Sequence, residues 1–379
     1  MRYFIIAGEA SGDLHGANLM RELKNTDSEA QFCFLGGDLM AAIGGKPLIH
    51  YRKMAFMGIV SVILHLYTVL HNLALCKRAL RQFSPDVLIL IDYPSFNLRI
   101  ARYAKKKLNL KVFYYISPKL WAWKEYRIKQ IKELIDCMFC IFPFEVEFYK
   151  NHNYLNVIYV GNPLIDAIET RAEKRETAIA FIKRNKLEDK PIVALLAGSR
   201  KKEIADNLPI MLSVTSHFSE YQFIIAGAPG MHPSYYEHYL TSDVKIIFGQ
   251  TYSLLQHAQA ALVTSGTATL ETALFNVPQI VVYKMSFGRI ILFLRKKLIH
   301  TPFFSLVNIM AGKQVTVELL ASQVTTPALI SELEQLLHNT DYRNTMLHEY
   351  SKIKKRLGDF GASGRAAEEM VKQLKNKCN

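Results

Sequence analysis

Two glycines, two carboxylates and a serine stand together directly after the first apolar run of this 379-residue chain. The stretch GEASGD, residues 8–13, separates a strand-like run from a helix-like segment. Gly8 helps to permit a tight turn close to a ligand. The polar groups available to contact that ligand are Glu9, Ser11 and Asp13. Alternatively, Ser11 and Asp13 cap the helix that follows.

A second group of residues suits a phosphate. Gly198 and Ser199 end another apolar run, and their small side chains let backbone N–H groups approach a ligand. Arg200 adds a fixed, bidentate donor that fits a diphosphate. Gly-Ser-Arg after a strand is a weak signal alone, so a second anion-binding element is needed.

That second element is the segment LVTSGTATLETAL, where a strand ends in Ser265, Gly266 and Thr267 and a helix starts at once. A helix N-terminus offers unpaired N–H groups and the positive end of its dipole to an anion. Capping by Ser265 or Thr267 explains part of the pattern. Glu271 is placed one turn later to accept hydrogen bonds from the hydroxyls of a ribose, or is a carboxylate favoured by the helix dipole.

Neither element has the spacing of a Walker loop or of the dinucleotide fingerprint G-x-G-x-x-G. This argues against ATP hydrolysis and hydride transfer. The pattern favours a nucleoside diphosphate held by the second half of the chain and an acceptor bound by the first half. That is the arrangement of a sugar-nucleotide transferase.

Two series of short apolar runs must position these residues. The first has six runs: YFIIAG, FCFLGG, VLILID, KVFYYISP, MFCIFPF and VIYVGNP. The second has five: PIVALLAGSR, YQFIIAGAPG, VKIIFGQ, AALVTSGTATLE and PQIVVYK. Strands that are apolar throughout and alternate with helix-length segments predict parallel sheets covered on both faces. We therefore expect an α/β chain with two doubly wound, Rossmann-like domains facing across a cleft. The predicted segments are residues 1–165, residues 166–350 and a C-terminal helical segment, residues 351–379.

The cysteines and the N-terminus indicate an intracellular protein. The five cysteines are odd in number and scattered, which does not describe a disulfide framework. Cys137 and Cys140 form a C-x-x-C within an apolar run that lacks a second pair at zinc spacing, so we expect buried thiols and no metal site. The chain starts directly with a strand and has no secretory signal.

The net charge of +14, from 47 basic and 33 acidic residues, fits an anionic partner. Basic and bulky apolar residues mix in KLWAWKEYRIKQIK and GRIILFLRKKLIH. Such segments are either helices lying among anionic lipid headgroups or solvated helix faces. We recognise no nucleic-acid-binding module and expect no nucleic acid partner.

Residues 54–76 contain no Lys, Arg, Asp or Glu. Three interpretations compete: a buried helix pair, a helix whose apolar face dips into a membrane surface, and a spanning helix. Polar side chains such as His65, His71 and Asn72 count against the last.

Eight motifs carry a family resemblance along nearly the whole chain. They are GEASGDLHGA, MGIVSV, ISPKLWAWKEYR, FPFEVEFY, YVGNPLID, LLAGSRKKEI, SGTATLE and SLVNIMAG, in this order. In these motifs and their spacing the chain resembles the bacterial lipid A disaccharide synthases. The resemblance implies a GT-B fold, inversion at the anomeric carbon, no metal, and no cofactor, because the UDP-sugar is a substrate.

The implied reaction joins UDP-2,3-diacylglucosamine to 2,3-diacylglucosamine 1-phosphate and gives a β-1,6-linked disaccharide and UDP. The implied partners are acylated sugars and the cytoplasmic surface of the inner membrane, and a homodimer is compatible with the resemblance. The C-terminal segment is expected to pack back on the first domain.

The resemblance also bears on the catalytic base. The family commonly has I-D-x-P-D-F-N, whereas this chain has IDYPSFN, which keeps Asp92 but has Ser95 in place of the second carboxylate. Because a serine cannot hold the charge of a proton acceptor, Asp92 becomes the leading candidate, with Glu9 and Asp13 next. Gly8 and Ser11 are expected beside the acceptor. Asn308 resembles a family position near the donor, or caps a loop.

Two other classes of function fit parts of the pattern. A UDP-N-acetylglucosamine epimerase shares the fold and the nucleotide contacts, but does not need the uncharged residues 54–76. A non-catalytic lipid-binding scaffold would tolerate the loss of Arg200 and Glu271.

Overall fold

The computed structural model describes residues 1–54, 66–122, 125–240, 244–284 and 302–376. The chain divides into two compact units, Met1–Asp166 with Leu357–Asn379, and Ala167–Arg356. The sequence predicts boundaries after residues 165 and 350; the observed ones follow Asp166 and Arg356.

The first unit is built on a seven-stranded sheet. Its strands are β1 (Arg2–Ala7), β2 (Gln31–Gly36), β3 (Ile49–His50), β4 (Val87–Ile91), β5 (Lys111–Tyr115), β6 (Cys137–Cys140) and β7 (Val157–Tyr159). The order is β3-β2-β1-β4-β5-β6-β7 and every pair is parallel. The central strand β4 is buried along its whole length because its apolar side chains point to both covered faces.

Helices follow most of these strands. They are α1 (Ala10–Thr26), α2 (Asp38–Gly44), α3 (Leu66–Phe83), α4 (Pro94–Leu108), α5 (Ile128–Leu134), α6 (Pro143–Asn151) and, at the boundary between the units, α7 (Pro163–Glu169). Helix α4 has proline in its first turn, where no N–H is needed, and ends at Asn109 in the left-handed conformation.

The second unit has a six-stranded sheet. Its strands are β8 (Ile192–Leu196), β9 (Gln222–Gly227), β10 (Val244–Phe248), β11 (Ala258–Thr264), β12 (Gln279–Tyr283) and β13 (Glu318–Leu320). The order is β10-β9-β8-β11-β12-β13, again all parallel. The described helices of this unit are α8 (Ala178–Asn185), α9 (Lys201–Leu212), α10 (Thr251–His257), α11 (Thr267–Leu274), α12 (Leu306–Ala311), α13 (Thr326–His338) and α14 (Thr340–Leu357).

The predicted fold class is confirmed: both units are parallel, Rossmann-like α/β domains. All six apolar runs of the first series and all five of the second are strands. Strands β3 and β13 were not predicted, because they have only two and three residues.

The last helix, α15 (Ala362–Lys375), belongs to the first unit and packs against α1. Its N-terminus is held by Asp166, whose carboxylate accepts hydrogen bonds from the backbone N–H groups of Gly361, Ala362 and Ser363 at 2.7, 3.2 and 3.0 Å. The Arg365 side chain donates to the Val160 carbonyl at 2.9 Å.

Cys137 and Cys140 are buried, free thiols in β6. Burial raises the pKa of Cys137 to about 11, so this thiol is protonated at neutral pH and packs as a small apolar group. Within the described residues, no group of three or more His, Cys, Asp or Glu has a metal-binding arrangement.

The uncharged residues 54–76 are described in part. Residues 55–65 lie outside the described residues, as do residues 285–301, which contain the GRIILFLRKKLIH segment. Across the described ranges, no helix is both long and apolar enough to cross a membrane. Helix α3 buries Leu73 and Cys76 on one face, while Tyr67 and Leu70 are 82% and 53% exposed.

Candidate active site

The carboxyl ends of β1 and β4 bring two predicted site segments together. The two strands are neighbours, and Ala7 pairs with Ile91 in the ladder. Gly8 therefore lies beside Asp92 at the same edge of the sheet. A Cβ atom at Gly8 would come within 2.4 Å of the Tyr93 ring, so glycine is required here by close packing against Tyr93.

Asp92 and Tyr93 form a strained turn between β4 and α4. Their φ angles are 42° and 47°, in the left-handed region that side chains other than glycine rarely adopt. Such conformations cost roughly 1–3 kcal/mol each and persist only where the surroundings enforce them. Strain of this kind concentrates at functional sites, which marks this turn independently of its sequence motif.

Buried hydrogen bonds enforce the turn. The Asn97 amide donates to the carbonyls of Asp92 and Ile91 at 2.6 and 3.2 Å, and the Tyr114 hydroxyl donates to the Asp92 carbonyl at 2.5 Å. The Tyr93 hydroxyl donates to the Met54 carbonyl at 2.7 Å. The final asparagine of IDYPSFN thus positions the aspartate of the same motif, a role that the sequence analysis did not assign.

Asp92 is half-buried. Burial raises its pKa above the ordinary aspartate value, and the nearby Lys119 charge and a hydrogen bond from the Tyr93 N–H lower the pKa in part. A general base works best when its pKa is closer to the working pH than that of a free carboxylate. The environment therefore moves Asp92 in the direction that base catalysis needs.

Glu9 and Ser11 also lie at this edge. Glu9 precedes α1 and is half-buried, and Ser11 is exposed in the first turn. The Glu9 charge adds to burial in raising the pKa of the Tyr93 hydroxyl, which places Glu9 near the strained turn. Both residues are consistent with contacts to an acceptor sugar.

Asp13 has a structural role in this arrangement. Its buried carboxylate accepts hydrogen bonds from the backbone N–H groups of Gly37, Leu39 and Met40 at 2.7, 3.1 and 3.1 Å. It therefore caps α2, a helix more than twenty residues away in sequence, rather than its own helix. All three bonds join it to the start of α2, which gives the Asp13 carboxylate a structural task.

In the second unit, the ends of the neighbouring strands β8 and β11 carry the phosphate-binding candidates. Gly198 has φ +113°, and a Cβ atom there would lie 2.6 Å from the Cβ of Glu203. The Glu203 carboxylate accepts from the N–H groups of Ser199 and Arg200 at 3.0 and 3.3 Å and pairs with the Arg200 guanidinium at 3.0 Å. The Arg200 side chain is 58% exposed, and only one of its five N–H donors is used in this pair.

The loop from Ser265 to Thr267 leads into α11 without a side-chain cap. Gly266 occupies the N-cap position and contributes no side-chain hydrogen bond, and the Ser265 hydroxyl donates to the Phe304 carbonyl at 2.9 Å. Thr267 is the first residue of the helix. The predicted capping by Ser265 is thus absent from this described segment. The Thr269 N–H donates to the Gly266 carbonyl at 3.3 Å, and within the described residues no side chain caps the N–H groups that precede it in the first turn.

Glu271 lies one turn into α11 and accepts a hydrogen bond from the Tyr252 hydroxyl at 2.9 Å. Burial raises the pKa of the Glu271 carboxyl, and the bond from Tyr252 lowers it in part. The second carboxylate oxygen is the group that could contact ribose hydroxyls.

Asn308 in α12 is completely buried and organises a loop. Its amide nitrogen donates to the Thr316 carbonyl and to Glu318 at 2.9 and 2.8 Å, and its oxygen accepts from the N–H groups of Val315 and Thr316 at 2.8 and 3.0 Å. All the hydrogen-bonding capacity of this amide is used within the protein, as in the loop-capping alternative.

One feature near Asp92 was missed by the sequence analysis. A cavity of about 340 Å³ opens between α4 and α5, and we call it the arginine pocket. It is lined by Pro94, Ser95, Leu98, Arg99, Arg102, Tyr126, Arg127 and Gln130. The sequence signal was the spacing of Ser95, Arg99 and Arg102 on one helix face.

The two Rossmann-like domains and their glycine-bearing strand ends define a protein of the GT-B class. Solved structures support this fold: a UDP-GlcNAc 2-epimerase from Neisseria meningitidis bound to UDP-GlcNAc (TM-score 0.70, 16% identity, 98% of this chain and 100% of that one) and the calicheamicin glycosyltransferase CalG4 (TM-score 0.60, 13% identity, 100% and 98%). At these identities the likeness concerns the fold alone.

Sequence comparison identifies the family. The model of the lipid-A-disaccharide synthetase family matches residues 3–372. Proteins named lipid-A-disaccharide synthase are 35% identical in Coxiella burnetii (strain CbuG_Q212; 98% of this chain, 97% of the relative) and 38% identical in Syntrophus aciditrophicus (96% and 95%). The chain belongs to the lipid-A-disaccharide synthetase family, as its motifs predict.

Proposed function

We propose that this chain is a lipid A disaccharide synthase. It transfers 2,3-diacylglucosamine from UDP-2,3-diacylglucosamine to 2,3-diacylglucosamine 1-phosphate and releases UDP. The observation that carries the proposal is the family match over residues 3–372, together with relatives of the same length at 35–38% identity. The enzyme is a glycosyltransferase of lipid A biosynthesis.

Asp92 is the proposed general base. Its carboxylate takes the proton of the acceptor 6-hydroxyl as that oxygen bonds to the anomeric carbon of the donor sugar. The bond from the anomeric carbon to the diphosphate oxygen breaks at the same time, and UDP leaves with the electron pair. A single displacement of this kind inverts the anomeric configuration and gives the β-1,6 linkage. Glu9 and Ser11 contact the acceptor sugar.

The second unit holds the donor in this proposal. The N–H groups at the start of α11 and the Arg200 guanidinium stabilise the charge that develops on the leaving diphosphate. Glu271 accepts hydrogen bonds from the ribose. Because these donors are supplied by the protein, the reaction needs no divalent ion and no cofactor. Asp13 and Asn308 support this site by positioning α2 and the loop that contains Thr316.

The enzyme is proposed to work at the cytoplasmic surface of the inner membrane. Its substrates carry acyl chains, its net charge is +14, and the start of α3 exposes Tyr67 and Leu70. Light scattering of the purified chain would distinguish a monomer from a homodimer, the assembly compatible with the family resemblance.

The test is to mix the two acylated substrates with the chain in EDTA and measure UDP and disaccharide. We expect both products in equal amounts. Conversion of UDP-N-acetylglucosamine to its epimer without disaccharide would instead favour an epimerase. A chain that shows no turnover, and whose lipid binding survives Arg200→Ala and Glu271→Ala, would instead be a non-catalytic scaffold.

A further inference from the structure

The arginine pocket presents an unusual concentration of positive charge. Ser95, Leu98, Arg99 and Arg102 follow one face of α4 at helical spacing. Arg127 and its neighbours Tyr126 and Gln130 form the opposite wall. Three guanidinium groups therefore border one cavity of about 340 Å³.

These arginines are not neutralised by ion pairs. In the part of the chain that the structure describes, no carboxylate lies within ion-pair distance of Arg99, Arg102 or Arg127. The acidic residue Glu133, whose pKa is lowered mainly by Lys106 and to a small extent by Arg102, is paired with Lys106. The polar contact of Arg127 is weak, with its Nη2 atom 3.5 Å from the Ser95 hydroxyl. Arginines crowded in this way repel one another unless an anion binds between them.

The pocket is close to the candidate base in the same unit. Ser95 stands three residues after Asp92, in the first turn of α4. The acceptor sugar carries its reacting hydroxyl at one end and a phosphate at the other. A phosphate held along α4 would therefore orient the sugar relative to Asp92.

We propose that the arginine pocket binds the phosphate monoester of the acceptor sugar and so positions its 6-hydroxyl. This inference rests on the proposed function. Planar guanidinium groups bind phosphate oxygens in a bidentate manner, and three of them match a doubly charged monoester better than a singly charged diester. The pocket makes the enzyme selective for a phosphorylated acceptor.

The identity of residue 95 supports this role. An aspartate here would pair with Arg127, whose nitrogen already lies 3.5 Å from the Ser95 hydroxyl, and would repel a phosphate. A serine leaves the guanidinium free and adds a hydroxyl donor.

The main test measures steady-state kinetics of Arg99→Gln and Arg127→Gln with two acceptors, diacylglucosamine with and without its phosphate. We expect KM for the phosphorylated acceptor to rise about 10- to 100-fold, the usual worth of a charge-assisted hydrogen bond. KM for the donor and for the unphosphorylated acceptor should stay constant. Lys107→Gln removes a charge from the same helix outside the pocket and is the matched control.

Ser95→Asp provides the opposite test. We expect it to raise KM for the phosphorylated acceptor about 10-fold, because its carboxylate occupies Arg127. A gain in kcat with an unchanged KM would overturn the proposal and give position 95 a catalytic role.

Direct binding separates this proposal from the proposed function. Calorimetry should detect glucosamine 1-phosphate but not glucosamine, and Arg99→Gln should abolish the heat whether or not the chain makes disaccharide. Equal KM values in the native and arginine variants would overturn the proposal. So would variants that lose binding to phosphatidylglycerol vesicles while keeping acceptor KM, since the pocket would then bind membrane headgroups.

Discussion

At the residue scale, Asp92 combines three properties that a structural aspartate rarely has together. Its backbone is in the left-handed region, the residue is half-buried, and burial raises the pKa of its carboxyl. The backbone strain, and at neutral pH the partly buried charge, cost folding free energy, and Asn97 and Tyr114 supply the hydrogen bonds that offset the strain. Natural proteins keep such costs mainly where catalysis requires them.

The first prediction concerns Asp92→Asn. The substitution removes the proton acceptor but keeps the shape of the side chain, so we expect kcat to fall at least about 100-fold with unchanged binding of UDP. The assay is disaccharide formation, with UDP affinity measured by calorimetry. Asp189→Asn, an exposed carboxylate of the second unit, is the control. Full activity in Asp92→Asn would transfer the base role to Glu9.

The same variant makes a prediction about pH and stability. Because burial raises the folded-state pKa of Asp92 above its unfolded value, the carboxyl contributes stability below the unfolded pKa, and this contribution is lost as pH rises through the folded pKa. At neutral pH the ionised group is therefore unfavourable. At pH 7.5 we expect the Tm of Asp92→Asn to match or exceed the native Tm. Below the unfolded pKa of the aspartate, we expect the native chain to have the higher Tm. A lower Tm for the variant at pH 7.5 would contradict this assignment.

At the element scale, a few carboxylates connect distant parts of the first unit. Asp13 of α1 caps α2, and Asp166 caps α15, in each case through three backbone N–H groups. These donors would otherwise be unsatisfied at helix N-termini. The second glycine-rich edge uses Glu203 in a similar way for the N–H groups of Ser199 and Arg200.

Asp13→Ala tests this structural role. Loss of the acceptor leaves buried N–H groups unpaired, so we expect the free energy of unfolding to fall by about 1–3 kcal/mol in urea titrations. Ser11→Ala, in the same turn but exposed, should change it by less than about 0.5 kcal/mol. If Asp13→Ala keeps native stability and loses turnover, Asp13 is a catalytic group after all.

Long buried strands could be predicted from the sequence, whereas short strands and contacts between distant residues could not. Long apolar runs such as residues 87–91 indicate buried parallel strands, and all eleven predicted runs form strands. β3 and β13 are too short for any periodicity to be visible. The GEASGD motif drew attention to Asp13 as a polar residue. The hydrogen-bond partners of Asp13, Gly37 and Met40, lie 24 and 27 positions away in sequence. A local pattern cannot show such a contact. One wall of the arginine pocket does have a local spacing on α4, but the opposite wall, with Arg127, comes from a separate segment that no local pattern connects to it.

At the scale of the whole molecule, the chain returns to its first unit after it has formed the second. Arg356 still donates to the Met310 carbonyl of that unit, at 2.9 Å, whereas Leu357 accepts a hydrogen bond from Tyr159 of the first unit, at 2.6 Å. Beyond it, α15 buries a row of small and apolar side chains in the first unit: Ala362, Ala366, Ala367, Met370 and Val371. The stability of the first unit should thus depend on α15, although the whole second unit separates this helix from the rest of the first unit in sequence.

Ala367→Asp tests this dependence, because it places a charge in the buried face of α15, where the native residue is 0% exposed. An unpaired buried charge should lower the stability of the first unit by on the order of 3 kcal/mol. Calorimetry can assign the loss, since UDP, which we propose binds to the second unit, should raise only the transition of that unit. We expect Ala367→Asp to shift the transition that UDP leaves unchanged, and Glu368→Ala, exposed on the same helix, to shift neither. If the transition that responds to UDP falls instead, α15 stabilises the donor-binding unit, and the assignment of this helix to the first unit is wrong.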